Sequence, residues 1–413
     1  MRRFLSRVLP LLLSFGLILN CTGCSTVLVL AGKARENSEA SSSVISESSA
    51  SSGVISAPVP TEDGDLRAFY TDVANAESVT VMVYMIGSDL ESEDGSATDD
   101  LLEMADAALS ENIHLVLQTG GTETWWNDVC TDDESERFVI ENGDMTLLQS
   151  LGSVNMTDAD TLSDFIRFSA ESYPADRYEL ILWDHGGGTM TGFGYDELYE
   201  DTSLTLSSLS TALYNGGVQF DFIGFDACLM ATAEVAYALD PYADYLIASE
   251  ESEPGEGWAY KNWLTMLAED PAVPTAELGK KLADDFLEAY IFADMPTLSV
   301  LDLRYVPELY AALESYWGSA YTALQSGSYG AFSQVRNNVR EFGDNEYDQV
   351  DLSDLATLTK QSLSLGTEDD VQAAVQNMVV YNVTYEKSAA GIAVYFPCLW
   401  PDYYGDTRFE MTC

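Results

Sequence analysis

Two histidines occur among the 413 residues, and one of them, His185, follows an apolar run at 178–183 and precedes three glycines, Gly186, Gly187 and Gly188. A second apolar run, at 220–225, leads into Asp226, Ala227 and Cys228. A thiol attacks a carbonyl only as thiolate, and a nearby imidazole can take its proton and later return it to a leaving amine. Backbone N–H groups at a glycine-rich turn can hold the oxyanion that forms, because no side chain blocks the approach. Gly186 and the N–H of Cys228 are the expected suppliers. Taken singly, an Asp-Ala-Cys on a buried strand reads as core and a His-Gly-Gly-Gly turn as tight backbone packing. Their joint occurrence just past two neighbouring apolar runs points to nucleophilic acyl transfer.

Each run has the length and apolarity of a buried parallel strand, which would place both reactive side chains at the carboxyl edge of a sheet, where ligands bind in open α/β folds. Further strands are expected at 79–85, 113–118, 245–249, 297–302 and 391–396, with a strand pair over 136–151 around Asn142-Gly143. Helical spacing marks 98–109, 159–172, 206–214 with Thr205 as cap, 229–239, 258–267, 276–290, 307–324 and 368–380. Strands alternating with helices predict an α/β fold: a mostly parallel sheet flanked by helices, with a helical C-terminal portion packed onto it. Cys228 would stand at the start of the 229–239 helix, whose dipole would favour a thiolate. Asp226 has a structural reading as the cap of that helix. His114 reads as a structural strand residue.

Composition bounds the partners. Against 68 acidic residues stand 18 basic ones, a formal charge of −50, which repels nucleic acid and anionic lipid and attracts cations. The same acidity would also keep an exported protein soluble. Arg2 and Arg3 followed by an apolar stretch at 8–19 suit an export signal too short to span a bilayer. Thr22-Gly23-Cys24 is similar to a bacterial lipoprotein processing site, with Cys24 as the lipidated residue. The expected organisation is a signal at 1–24, a disordered Ser/Ala/Glu/Pro tether at 25–77, and a catalytic domain at 78–413. That places the protein in a bacterial cell envelope, lipid-anchored and facing outside the cytoplasm, or secreted if the anchor is absent. Cys130, Cys228, Cys398 and Cys413 are too few for a disulfide framework, and zinc-site spacing is absent.

Leu182-Trp183-Asp184-His185-Gly186-Gly187-Gly188, Gly224-Phe225-Asp226-Ala227-Cys228-Leu229-Met230-Ala231 and Glu253-Pro254-Gly255-Glu256-Gly257-Trp258 resemble the clostripain family of cysteine peptidases, as do Met85-Ile86-Gly87-Ser88-Asp89-Leu90-Glu91 and Phe193-Gly194-Tyr195-Asp196-Glu197. The resemblance implies a caspase-like fold, a His185–Cys228 dyad, and cleavage after Arg or Lys. Its acidic S1 positions fall on Asp226 and Glu256. No cofactor is required. Calcium dependence in parts of the family draws attention to Asp196, Glu197, Glu200 and Asp201, which otherwise read as a solvated acidic loop.

The charge pattern points the same way. No Lys or Arg occurs between Arg177 and Lys261, a stretch with fifteen Asp or Glu residues that would attract a guanidinium. The same charges should raise the pKa of both the thiol and the imidazole. That stretch also lacks a basic residue between His185 and Cys228, where family members are often self-cleaved. The leading expectation is a monomeric, surface-anchored endopeptidase acting on peptides or proteins with P1 Arg or Lys. The alternative is a catalytically inactive surface lipoprotein acting as a binding module. A thiol hydrolase of non-peptide amides is a third reading and would need no acidic pocket.

Overall fold

A computed structural model describes residues 66–199, 202–290, 296–343, 347–385 and 387–397. The signal segment, Cys24, the tether up to residue 65, Glu200, Asp201, Cys398 and Cys413 lie outside the described residues. The body takes in residues ahead of 78. Arg67 pairs with Asp244 at 2.7 Å and Asp240 at 3.2 Å, and Tyr70 N–H donates to Asp244 at 2.9 Å.

Five parallel strands form the centre of the sheet, in the order β7 (Ala243–Ala248), β6 (Phe220–Asp226), β5 (Arg177–Trp183), β1 (Val79–Ile86) and β2 (Ile113–Gly120). Antiparallel strands extend both sides: β3 (Ser135–Glu141) and β4 (Asp144–Gly152) beyond β2, and β8 (Thr297–Asp302) and β11 (Val379–Thr384) beyond β7. The β3–β4 hairpin turns at Asn142 and Gly143, both with positive φ, as a tight hairpin with right-handed strand twist requires. A small second sheet orders β12 (Ala393–Tyr395), β10 (Gln349–Asp351) and β9 (Glu341–Phe342). The late 391–396 run therefore joins this small sheet rather than the large one.

Every residue of β1 is buried because helices cover both faces. Met82, Tyr84, Leu182 and Phe225 point to one core, shared with α3 (Ala159–Ser172), α5 (Leu206–Gly216), α6 (Ala233–Leu239) and the C-terminal helices α9 (Val306–Gln325) and α12 (Glu368–Met378). Val81, Val83, Trp183 and Phe222 point to the other, shared with α2 (Ser96–Ala105), α7 (Tyr260–Glu269) and α8 (Thr275–Ala289). Fully burying each such large apolar side chain is worth about 1.5–3 kcal/mol.

The expected helix at 98–109 is α2, shifted to Ser96–Ala105, and a helix not expected from the sequence, α1 (Ser88–Asp94), precedes it across Gly95 in the left-handed region. The expected helix at 229–239 begins only at Ala233, where Thr232 Oγ1 accepts the Val235 N–H at 3.1 Å. From β1 the chain passes to β2 on one side, while β5 lies on the other. The crevice at the carboxyl ends of β1 and β5 is thus the topological switch point.

Candidate active site

Strands β5 and β6 pair Trp183 with Asp226, and Asp184 N–H donates to the Asp226 carbonyl at 3.2 Å. His185 and Cys228 each stand two residues beyond that paired position. Both line one open cavity of about 210 Å³, with Gly186, Gly187, Leu229, Ser252 and Tyr347. Gly186 lies directly against the backbone of Cys228: a Cβ there would overlap its carbonyl oxygen. Only glycine permits this approach.

Past Cys228 the chain does not enter a helix. Leu229 is buried with φ +67°, a left-handed conformation that costs a non-glycine residue about 1–3 kcal/mol. Leu229 N–H donates to the Glu251 carbonyl at 3.1 Å and Ala231 N–H to that of Ser249 at 2.8 Å. These bonds hold the segment against the loop that follows β7 and delay the helix to Ala233. The expected helix dipole at Cys228 is therefore absent, and Asp226 is not a helix cap. The thiol has a local donor instead, Glu253 N–H at 3.2 Å from Sγ. Burial pushes the Cys228 thiol up, the Glu253 N–H and the Ser252 side chain draw it down, and the Glu251 charge adds to the rise.

α1 supplies what orients the histidine. Asp89 Oδ1 lies 2.7 Å from His185 Nε2. One residue earlier, Ser88 Oγ donates to Asp184 Oδ1 at 2.7 Å, and Tyr195 N–H donates to its other oxygen. Burial works to lower the His185 pKa, but the Asp89 hydrogen bond and the charges of Asp184 and Asp89 outweigh it and raise it above the ordinary 6.5. Asp89 moves below its usual range, chiefly through its bond to His185. Burial pushes Asp184 up to about 7. The joint rise of thiol and imidazole agrees with the charge pattern, although burial leads for the thiol.

Asp226 is buried and accepts Trp258 N–H at 3.0 Å and Tyr260 O–H at 2.7 Å; burial pushes it up to about 7. Glu256 is exposed and lines a separate cavity of about 360 Å³ with Asp99, Asp100, Glu103, Trp258 and Tyr290. The structure therefore does not place Asp226 and Glu256 together on the cavity of His185 and Cys228. Both Asp196 oxygens accept backbone N–H groups, from Met156 at 2.7 Å and Leu198 at 2.9 Å, and Glu197 accepts from Ser92 Oγ and Glu123 N–H. These two carboxylates pin loops together. Among the described residues no cluster of three or more His, Cys, Asp or Glu is placed to hold a metal ion, and Cys130 and Cys228 are unpaired.

Sequence reasoning missed the parts played by Asp89, Asp100 and Glu253. Asp89 and Glu253 stood inside the quoted motifs, but nothing in spacing alone said which groups their side chains would meet.

The clostripain family profile matches residues 83–398. Clostripain of Hathewaya histolytica is 29% identical over 217 residues, which are 45% of this chain and 41% of that protein, so the match spans well under half the relative's length. Two solved structures superpose with a TM-score of 0.62. One is an inactive zymogen C11 protease from Parabacteroides distasonis, at 21% identity over 80% of this chain and 94% of that one. The other is a secreted C11 cysteine protease from Bacteroides thetaiotaomicron in complex with an irreversible peptide inhibitor, at 18% identity over 81% and 97%. At such identity they establish the fold, a caspase-like α/β sheet, and the family profile establishes the kinship: the chain belongs to the clostripain family of cysteine peptidases.

Proposed function

We propose that the chain is a monomeric cysteine endopeptidase that cleaves peptide bonds after Arg or Lys, with Cys228 as nucleophile and His185 as acid and base. The observation that carries this reading is the shared cavity. The thiol, the imidazole and the Gly186 backbone meet at its wall, and it opens to solvent. His185 takes the Sγ proton as the sulfur attacks the scissile carbonyl. The N–H groups of Gly186 and Cys228 hold the oxyanion, and the imidazolium returns the proton to the leaving amine. Water then repeats the sequence on the thioester, with His185 again as base. Asp89 is a positioning residue that fixes the ring and steadies its charged form. Asp226 and Glu256 provide the negative charge for a basic P1 side chain, a reading supported by the absence of Lys and Arg between Arg177 and Lys261.

No cofactor enters these steps. The N-terminal segment serves as an export signal, with Cys24 lipidated and 25–77 as tether, so the enzyme acts at the outer face of a bacterial envelope. Among the described residues no helix is long and apolar enough to cross a membrane.

The test is a panel of fluorogenic peptides differing only at P1, assayed with the wild type and Cys228→Ala. Cleavage after Arg or Lys that vanishes in a folded Cys228→Ala protein supports the reading. Absence of turnover across the panel would leave the same fold as a binding module.

A further inference from the structure

Tyr347 comes from far along the chain, just ahead of β10, yet it lines the cavity of His185 and Cys228. Its half-buried ring stands between two glycines: a Cβ on Gly187 would lie 3.3 Å from Cε1, and one on Gly343 2.7 Å from Cδ2. Cys228 and Tyr347 pack on one apolar cluster, made of Leu229, Phe342, Ala389 and Ala393.

The backbone around Tyr347 is held under strain. Asp348, the next residue, is fully buried with φ +52°, in the left-handed region. Such a conformation persists only where the surroundings over-determine it, and it concentrates at functional sites. Arg336 supplies the restraint, donating to Asp348 Oδ1 at 2.7 Å and forking onto Glu341 at 2.6 and 2.9 Å. Phe396 N–H donates to the Asp348 carbonyl at 2.8 Å. Gln349 follows, also fully buried, and a Cβ on Gly188 would stand 2.4 Å from its carboxamide. Residues 347 and 349 are thus both seated against the glycine turn that follows His185.

The lining limits what the cavity can take. Gly186, Gly187, Gly192 and Gly194 present backbone without side chains, and Tyr347 is the largest side chain present. No carboxylate, lysine or arginine is among the described residues that line it. At about 210 Å³ the cavity is smaller than sites of roughly 300–1,000 Å³ that enclose a whole small-molecule ligand, and it suits one residue of a peptide. Glu256, read as part of the P1 charge, opens on a different cavity. In the proposed mechanism His185 returns its proton to the leaving amine, so the departing residue lies on the imidazole's side of the thiol.

We propose that Tyr347 is a specificity-determining residue on the leaving-group side, its ring forming the wall of a P1′ subsite for an apolar side chain. This rests on the reading that the chain is a Cys228–His185 peptidase cutting after Arg or Lys. A ring over bare backbone gives an apolar side chain area to bury, whereas a charged one would lose hydration and gain no partner.

Partitioning of the acyl-enzyme tests this subsite apart from P1. A P1-Arg methyl ester acylates Cys228 with loss of methanol. An added amino-acid amide then competes with water: its amine nitrogen takes the acyl group from Sγ, and its proton passes through His185 to the departing thiolate. In the wild type, leucinamide should capture the acyl group about tenfold or more better than glycinamide. Tyr347→Ala, with its fold checked by circular dichroism, should bring the two amides within about twofold of each other, and Tyr347→Asp should turn the preference toward argininamide. Equal capture of leucinamide and glycinamide by the wild type, or a leucinamide preference undiminished in both variants, would overturn the inference while leaving P1-Arg cleavage standing. Absence of ester turnover by the wild type would instead remove the reading on which it rests.

Discussion

Asp89 Oδ1 lies 2.7 Å from His185 Nε2, so in the proposed mechanism Nδ1 is the nitrogen that exchanges a proton with the thiol. The carboxylate comes from the first turn beyond β1, the imidazole from the end of β5, and they meet across the switch point of the sheet. This contact raises the His185 pKa above 6.5, against the effect of burial. A base works only when neutral, so the acid limb of kcat/KM should lie above pH 6.5. Asp89→Asn removes the charge, lowers the His185 pKa and should carry that limb to lower pH, while the plateau falls on the order of 10²-fold. A limb that stays in place would show that Asp89 does not set the histidine.

Gly186→Ala addresses the oxyanion site. The added methyl collides with the Cys228 carbonyl and must displace the backbone that the proposed mechanism turns toward the oxyanion. kcat should fall on the order of 10²-fold with little change in KM, the mark of a contact made in the transition state. A rise in KM alone would assign Gly186 to ground-state binding.

Charge selection at P1 is open to a direct comparison. A P1-Arg peptide and its norleucine analogue present similar length, but only one brings a cation to buried carboxyl groups. The arginine peptide should be favoured roughly 10⁴-fold, and Asp226→Asn should erase most of that preference. Asp226→Asn with unaltered preference would move the specificity determinant elsewhere.

Chelation separates the cofactor-free reading from a calcium-dependent one. The Asp196 carboxylate is occupied by backbone N–H groups, and no step of the proposed mechanism passes through a metal. Dialysis against EGTA should leave peptidase activity intact. Loss on chelation with recovery on added calcium would contradict this.

The anchor is tested in cells. Cys24→Ala should shift the protein from the membrane fraction to the medium without altering its specific activity. Retention in membranes would argue for attachment by another route.

The strands were the most legible part of the chain. Runs such as 79–85 and 220–225 are apolar throughout because both faces of the sheet are covered, and β1 and β6 fall where those runs do. The placement of His185 and Cys228 on one cavity was legible for the same reason, since each follows such a run. The segment 229–232 was misread because Leu229, Met230 and Ala231 have good helical propensity. The left-handed Leu229 and the bonds to Ser249 and Glu251 override that propensity, and these are long-range contacts that no local pattern carries. Glu253 was invisible as a partner of Asp226 for a similar reason: 27 positions separate them, and only the return of β7 to the sheet brings them together.

The pairing of Trp183 with Asp226 fixes more than the local ladder. Cys228 and His185 emerge from adjacent strands at equal distance from a shared rung, so their separation is gauged by the roughly 4.8 Å interstrand spacing rather than by flexible connections. Losing one residue from either strand would turn a reactive group to the opposite layer. The connecting loops are free of that constraint. The long excursion between Gly188 and α5, and the turn after β7, brace the two side chains and shape their surroundings, while the strands set their spacing. Divergence of substrate choice within this architecture therefore has room to proceed without re-founding the chemistry.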